Sequence, residues 1–61
     1  NMEDLKISDL SSFTVGELHN ACNACGITKY KGLKKNELIT RIKLEYAEYK
    51  INKGISKLES L

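Results

Sequence analysis

Residues 14–27 read TVGELHNACNACGI and hold both a start signal and a stop signal for a single helix. Thr14 and Glu17 have capping-box spacing, in which the threonine oxygen accepts from the third helical amide and the glutamate accepts from the cap amide. Phe13 precedes the cap, where a hydrophobic staple is found. Gly26 can adopt the left-handed conformation that commonly ends a helix. The stretch therefore predicts a helix that begins at Thr14 and stops at Gly26.

The predicted first helix has one apolar face. At about 100° per residue, its apolar side chains fall within an arc of roughly 120°. They are Val15, Leu18, Ala21, Cys22 and Cys25. His19 lies at the edge of this arc, which favours a boundary histidine over a catalytic base. Beyond the glycine, Ile27 would pack back onto Cys22 in a Schellman motif.

A second helix is predicted from about Lys34 to Tyr49. Its apolar side chains share an arc of about 100°, which we expect to face the core. They are Leu38, Ile39, Ile42, Tyr46 and Tyr49. Leu44 and Ile51 lie outside this arc. They indicate a second contact surface, either for the C-terminal tail or for the remainder of a longer parent protein.

These signals predict an all-α fold, a small helical domain with two main helices joined by an extended loop. The domain is placed at 13–50, with an N-terminal flank at 1–12 that folds a short helical turn over the core. The segment 51–61 is predicted to be a C-terminal tail or short helix. Asn1 precedes Met2, and we expect it not to belong to the natural chain.

Length and composition exclude several classes of function. A chain of 61 residues with 7% aromatic residues has little material for a deep substrate pocket, and it contains no apolar run near the ~18 residues of a membrane span. It offers no nucleophile with a base, no carboxylate pair and no metal cage at usable spacing. We therefore expect a domain that is not an enzyme, uses no cofactor or small-molecule substrate, and does not enter a membrane.

Cys22 and Cys25 form a C-x-x-C pair, and His19 precedes them at the same spacing. A zinc site would require a fourth ligand, and a thioredoxin-type pair would stand at the start of a helix. Buried thiols that pack as small hydrophobic side chains are the favoured interpretation, with a metal site as the alternative. Two unpaired thiols favour a reducing, intracellular compartment.

Positive charge is concentrated in the middle of the chain. The formal net charge is +2, but residues 29–43 carry six cations and one acid, for a local net charge of +5. Such a block attracts polyanions, although a lysine-rich stretch is also a common solvated surface.

This basic block runs from a loop directly into the predicted second helix. The first amides of that helix, near residues 33–36, lack intrahelical acceptors and carry the positive end of the helix dipole, so they could hold a phosphate. Either Gly32 or Leu33 occupies the expected cap position, and neither has a capping side chain. Capping by water is the alternative to capping by an external anion. Four lysines surround this point, namely Lys29, Lys31, Lys34 and Lys35.

The segment 13–43 resembles the SAP motif, a module in which an extended loop joins two helices. The similarity rests on Thr14-Val15-x-Glu17-Leu18, Gly26-Ile27, Gly32-Leu33-Lys34-Lys35-Asn36-Glu37-Leu38-Ile39 and Arg41-Ile42. Phe13, Ala21 and Cys22 add a similarity to the Ku-type SAP modules of DNA-end repair. The resemblance implies binding to double-stranded DNA, often A/T-rich, by a nuclear protein of chromatin or DNA repair.

The resemblance also implies which residues meet DNA. Gly32, Lys34 and Lys35 would contact the backbone, with Arg41 beside them and still available to a phosphate despite its glutamate neighbours. The connector is longer than the family pattern, with Tyr30 inserted between two lysines. Tyr30 would either contact nucleic acid or, as we favour, pack its ring onto the loop. The predicted DNA-contacting residues are Lys29, Tyr30, Lys31, Gly32, Lys34, Lys35, Asn36 and Arg41.

The favoured function is weak, mainly phosphate-directed binding of double-stranded DNA that anchors a larger protein or complex, with other protein subunits as further partners. Two alternatives remain open. One is a protein-interaction module that uses Leu44 and Ile51. The other is RNA binding, which charge alone does not separate from DNA binding.

Overall fold

The computed structural model describes residues 2–59, which contain two α-helices and two short 3-10 helices. The 3-10 helices span Met2–Asp4 and Ile7–Ser12, α1 spans Val15–Ala24 and α2 spans Lys35–Glu59. No strand occurs among these residues, and the all-α prediction is confirmed. The expectation about Asn1, and the end of the predicted tail at 60–61, lie outside the described residues.

Helix α1 begins at the predicted capping box. The Thr14 hydroxyl accepts a hydrogen bond from the Glu17 amide at 3.2 Å. In return, the Glu17 carboxylate accepts from the Thr14 amide at 2.9 Å. Both bonds satisfy backbone donors that a helix start leaves without an internal acceptor, so this start is specified locally.

The end of α1 is a Schellman motif, as predicted. Gly26 has a φ of 73°, in the left-handed region. Its amide donates to the Asn23 carbonyl at 3.2 Å, and the Ile27 amide donates to the Cys22 carbonyl at 2.9 Å. Ile27 is only 4% exposed and belongs to the same buried cluster as Cys22.

The buried core draws on every part of the chain up to the middle of α2. Its members are Leu10, Leu18, Cys22, Ile27, Leu38 and Ile42. Half-buried apolar side chains surround them, including Leu5, Ile7 and Phe13. Full burial of one leucine side chain contributes about 1.5–3 kcal/mol. Leu10 lies in the second 3-10 helix, so the prediction that the N-terminal flank folds over the core is confirmed.

Helix α2 is longer than predicted. The sequence pattern predicted that it ends near Tyr49, but it continues through Gly54 as one helix of 25 residues. A glycine inside a helix costs only about 1 kcal/mol relative to alanine, which is too little to end a helix that proline does not interrupt. Leu44 and Ile51 remain 57% and 62% exposed. A tail that folds back onto them was therefore the wrong alternative.

Contacts with the N-terminal flank support α2 beyond its core-facing half. The Tyr49 hydroxyl donates to the Glu3 carboxylate at 2.8 Å, and the Lys53 ammonium donates to the same oxygen at 3.3 Å. The Lys53 nitrogen also lies 6.0 Å from the centre of the Tyr49 ring. The two bonds to Glu3 join residues 46 and 50 positions apart, which no local sequence pattern encodes.

The α1 capping box makes stability depend on pH. Hydrogen bonds from the Thr14 backbone and side chain lower the pKa of Glu17. A carboxylate whose pKa is lower in the folded state stabilises the fold fully above its unfolded pKa, and this contribution is lost as pH falls through the folded value. Glu17→Gln should therefore melt a few degrees below the wild type near pH 7 and together with it near pH 2.5. Thermal melts followed by circular dichroism measure this difference.

Asp4→Asn is the matched control, because Asp4 is exposed and caps no α-helix. Its melting temperature should follow the wild type at both pH values. If Glu17→Gln lowered the melting temperature equally at both pH values, this would contradict the role of the ionised Glu17 carboxylate in the cap.

Candidate nucleic-acid interface

The connector between the helices is ordered by a tight turn. The Leu33 amide donates to the Tyr30 carbonyl at 3.4 Å, and Gly32 has a φ of 85° at the third position of the turn. A positive φ at this position is the signature of a type II turn, which favours glycine there. Lys29 is also left-handed, with a φ of 59°, which is uncommon for a residue other than glycine. Lys29 and Lys31 are both exposed on this connector.

Tyr30 fastens the connector to α1. Its ring lies edge-on to the His19 ring, with centroids 5.3 Å apart and planes at 63°. Both residues are half-buried, and Tyr30 packs against the core cluster. This contact agrees with the favoured interpretation that Tyr30 packs onto its own protein. His19 lies at the boundary as expected, and within residues 2–59 its buried Nε2 atom has no hydrogen-bond partner.

The start of α2 differs from the expectation of an empty cap at Gly32 or Leu33. The Leu38 amide donates to the Lys34 carbonyl at 2.8 Å, which makes Lys34 the cap residue. The Lys34 amide donates to the Glu37 carboxylate at 3.0 Å. This is half of a capping box, since lysine has no side-chain acceptor to return the bond.

Three amides remain available at this helix end. They belong to Lys35, Asn36 and Glu37, and no acceptor for them is found in the part of the chain that the structure describes. Asn36 is exposed, and its carbonyl accepts from the Thr40 hydroxyl at 3.0 Å. The predicted anion-binding end of α2 therefore begins one or two residues later than expected, and the Glu37 carboxylate lies beside it.

Lys35 is exposed, and its ammonium has a partner within the protein. Its ammonium donates to the Ser11 carbonyl at 3.1 Å and ties the end of the second 3-10 helix to the start of α2. Glu17 lies close enough for the Lys35 charge to help lower its pKa. Lys35 is thus a structural tie as well as a cation.

Arg41 was predicted to stay available to a phosphate, and in the structure its guanidinium has partners within the protein. The guanidinium donates to the Glu45 carboxylate at 2.6 Å and to the Thr28 carbonyl at 3.1 Å. Its side chain is only 29% exposed. Arg41 therefore clamps the connector to α2. Spacing along the helix predicted its pairing with Glu45, but the contact with Thr28 depends on the tertiary fold.

Three of the predicted contact residues are exposed lysines whose side chains have no partner in the described part of the protein. Lys29, Lys31 and Lys34 are exposed, and no hydrogen bond or ion pair of their side chains is found within residues 2–59. Gly32 shapes the turn between them. The sequence interpretation missed the capping role of Glu37, although Glu37 follows Lys34 at the same spacing that links Glu17 to Thr14.

The cysteines lie apart from this surface. Cys22 is fully buried in the core, and burial raises the pKa of its thiol, with the neighbouring Cys25 adding to the rise. Cys25 is half-buried, and both cysteines are free thiols. The described residues contain no group of three or more histidine, cysteine, aspartate or glutamate side chains arranged to hold a metal ion. None of the helices described here is long and apolar enough to span a membrane.

A sequence model of the family described as the Rho termination factor, N-terminal domain, matches residues 9–50. The chain belongs to this family. The match extends from the second 3-10 helix to the middle of α2, whereas the sequence analysis placed the domain at 13–50. Comparison with curated proteins and with solved structures found no match.

This assignment corrects the SAP and Ku resemblance, because no model of either family matched. The Rho termination factor N-terminal domain is SAP-like in fold, so the capping box, glycine stop and basic helix start indicated the shared shape rather than the family. It is also a nucleic-acid-binding domain. The coarse prediction of nucleic-acid binding is therefore confirmed.

Proposed function

We propose that this domain binds double-stranded DNA weakly, mainly through the phosphate backbone, and so anchors a larger protein or complex to DNA. The observation that carries the proposal is the position of three exposed lysines immediately before the open amides of α2. Lysine side chains and helix N-terminal amides both favour anionic oxygen. Family membership supports nucleic acid as the source of that anion. In this proposal the domain acts by binding alone.

The aromatic side chains favour a duplex over a single strand. Proteins that bind single strands without sequence preference stack bases on exposed aromatic rings. All four aromatic residues of this chain are half-buried, and Tyr30 is already packed against His19. Contact with the outside of a duplex needs no such platform, because the phosphates are exposed along its length.

The number of available cations sets the expected strength. Because the Lys35 and Arg41 side chains already bond backbone carbonyls of the protein, three lysines are counted as available for phosphates. Three phosphate contacts predict a salt slope of about −2.7 for log K against log salt and a dissociation constant of ~10⁻⁴ to 10⁻⁶ M. Such an affinity suits a module that positions a larger assembly rather than one that acts as its only contact.

Fluorescence anisotropy with labelled oligonucleotides tests the proposal. Between about 50 and 200 mM salt, affinity for duplex DNA should fall about 40-fold. Parallel titrations use an A/T-rich duplex, a G/C-rich duplex, an RNA duplex and single-stranded RNA. Affinity that does not change with salt would contradict phosphate-directed binding. Tighter binding to either RNA than to both DNA duplexes would contradict the choice of DNA and favour RNA.

A further inference from the structure

Helix α2 carries an exposed apolar stripe on the side opposite the core. Its members are Leu44, Ile51, Ile55 and Leu58, which are 57%, 62%, 49% and 70% exposed. At about 100° per residue they lie within an arc of about 60°, roughly opposite Leu38 and Ile42. These four are all but one of the large exposed hydrophobic residues in the described chain. The stripe is about 21 Å long at 1.5 Å per residue.

The spacing of this stripe is that of a helix-pairing seam. Leu44, Ile51 and Leu58 follow one another at seven-residue intervals, and Ala47 and Gly54 alternate with them. A seven-residue apolar repeat is the pattern by which two helices pack side by side. The two small residues leave room for a second helix to approach closely.

Charge is segregated on the two sides of this stripe. Glu48 and Glu59 lie along one side, and Lys43, Lys50 and Lys57 lie along the other. When two identical helices pair in parallel about a two-fold axis, the acidic side of each faces the basic side of the other. In an antiparallel pair, lysines would face lysines. The charge pattern therefore favours one partner and one orientation.

We propose that the stripe binds the same stripe of a second copy of this chain, with the two α2 helices parallel. In this pairing Leu44, Ile51 and Leu58 form the seam. Lys43 of each copy lies against Glu48 of the other, which is the contact expected between flanking positions of successive heptads. The parallel orientation places both basic connectors at the same end of the dimer, where they are presented side by side.

The length of the seam sets the expected affinity. A seam of two heptads lies at or below the small end of specific protein interfaces, which is about 1,200 Å² of total buried surface. We therefore expect a reversible dimer with a dissociation constant of ~10⁻⁴ M. Because the four side chains are already partly covered in the monomer, dimerisation buries less apolar surface, which agrees with a weak dimer.

Sedimentation equilibrium from ~20 μM to ~2 mM, without nucleic acid, tests the dimer independently of the proposed function. The wild type should pass from monomer to dimer over this range. Ile51→Glu places a carboxylate in the seam and should weaken the dimer at least ~10-fold without touching the core. Val15→Glu is the matched control, since Val15 is 42% exposed on α1, outside the stripe. Circular dichroism checks that both variants retain their helices.

A charge exchange tests the orientation. Lys43→Glu and Glu48→Lys should each weaken the dimer several-fold, and the double variant should restore it. A wild type that stays monomeric at the highest concentration would overturn the proposal, as would unchanged dimerisation of Ile51→Glu. A Lys43→Glu variant that dimerises more tightly would overturn the parallel orientation.

Discussion

Lys31→Glu combined with Lys34→Glu should weaken binding to duplex DNA by about 100-fold or more, while the domain stays folded. Each substitution removes one phosphate contact and adds a repulsive charge beside the remaining ones. Both side chains are exposed, and neither contributes to the buried cluster. Fluorescence anisotropy on a labelled duplex measures the loss, and circular dichroism verifies the helices.

Lys6→Glu combined with Lys50→Glu is the matched control. It changes the net charge by the same amount, from +2 to −2, at exposed positions away from the connector. Long-range repulsion alone should weaken binding only a few-fold at physiological salt, because exposed charges beyond ~8 Å are largely screened. Equal losses of DNA affinity in the two double variants would show that the net charge of the protein, rather than the connector lysines, attracts DNA.

The second large effect concerns stability. Leu38→Ala should leave the domain largely unfolded or melting close to room temperature. Leu38 is completely buried, and removing a buried leucine costs about 2–5 kcal/mol. A domain of 61 residues has a total stability of only about 3–9 kcal/mol. Thermal and urea unfolding followed by circular dichroism measure the difference.

Leu44→Ala makes the same chemical change on the opposite face of the same helix. Leu44 is 57% exposed, so this variant should stay within about 0.5 kcal/mol of the wild type at concentrations where the chain is monomeric. Both variants replace a leucine of α2 with alanine, so the comparison isolates the effect of burial on stability. Similar losses in both variants would contradict the assignment of the α2 face that packs on α1.

Local chemistry explains why the limits of α1 could be predicted. Thr14 and Glu17 satisfy each other's amides three residues apart, and Gly26 and Ile27 end the helix through bonds to carbonyls three and five residues back. Every partner lies within one helical turn or slightly more, so the sequence pattern contains the whole interaction. The core-facing residues of α2 were predictable for a related reason, since helical periodicity selects Leu38 whatever it packs against.

Two differences at the candidate site involve partners far apart in the chain. Lys35 bonds the Ser11 carbonyl 24 residues away, and Arg41 bonds the Thr28 carbonyl 13 residues away. Neither bond could be predicted from the sequence, because the acceptors are backbone carbonyls, which carry no signal in side-chain patterns. The candidate DNA-binding surface consequently has fewer available cations than the lysine and arginine count indicates.

Helix α2 is one continuous helix, but its two halves differ in how much they pack against the rest of the protein. Its first half is anchored by Leu38 and Ile42, whereas every residue from 51 to 59 is exposed. A short helical segment with few tertiary contacts is only marginally stable in water, and Gly54 further weakens the segment 51–59. We therefore expect the distal turns to unfold locally more readily than the first half of the helix, without disrupting the buried cluster. Their amide protons should then exchange with solvent faster than those of the turns that carry Leu38 and Ile42, and limited proteolysis should begin there.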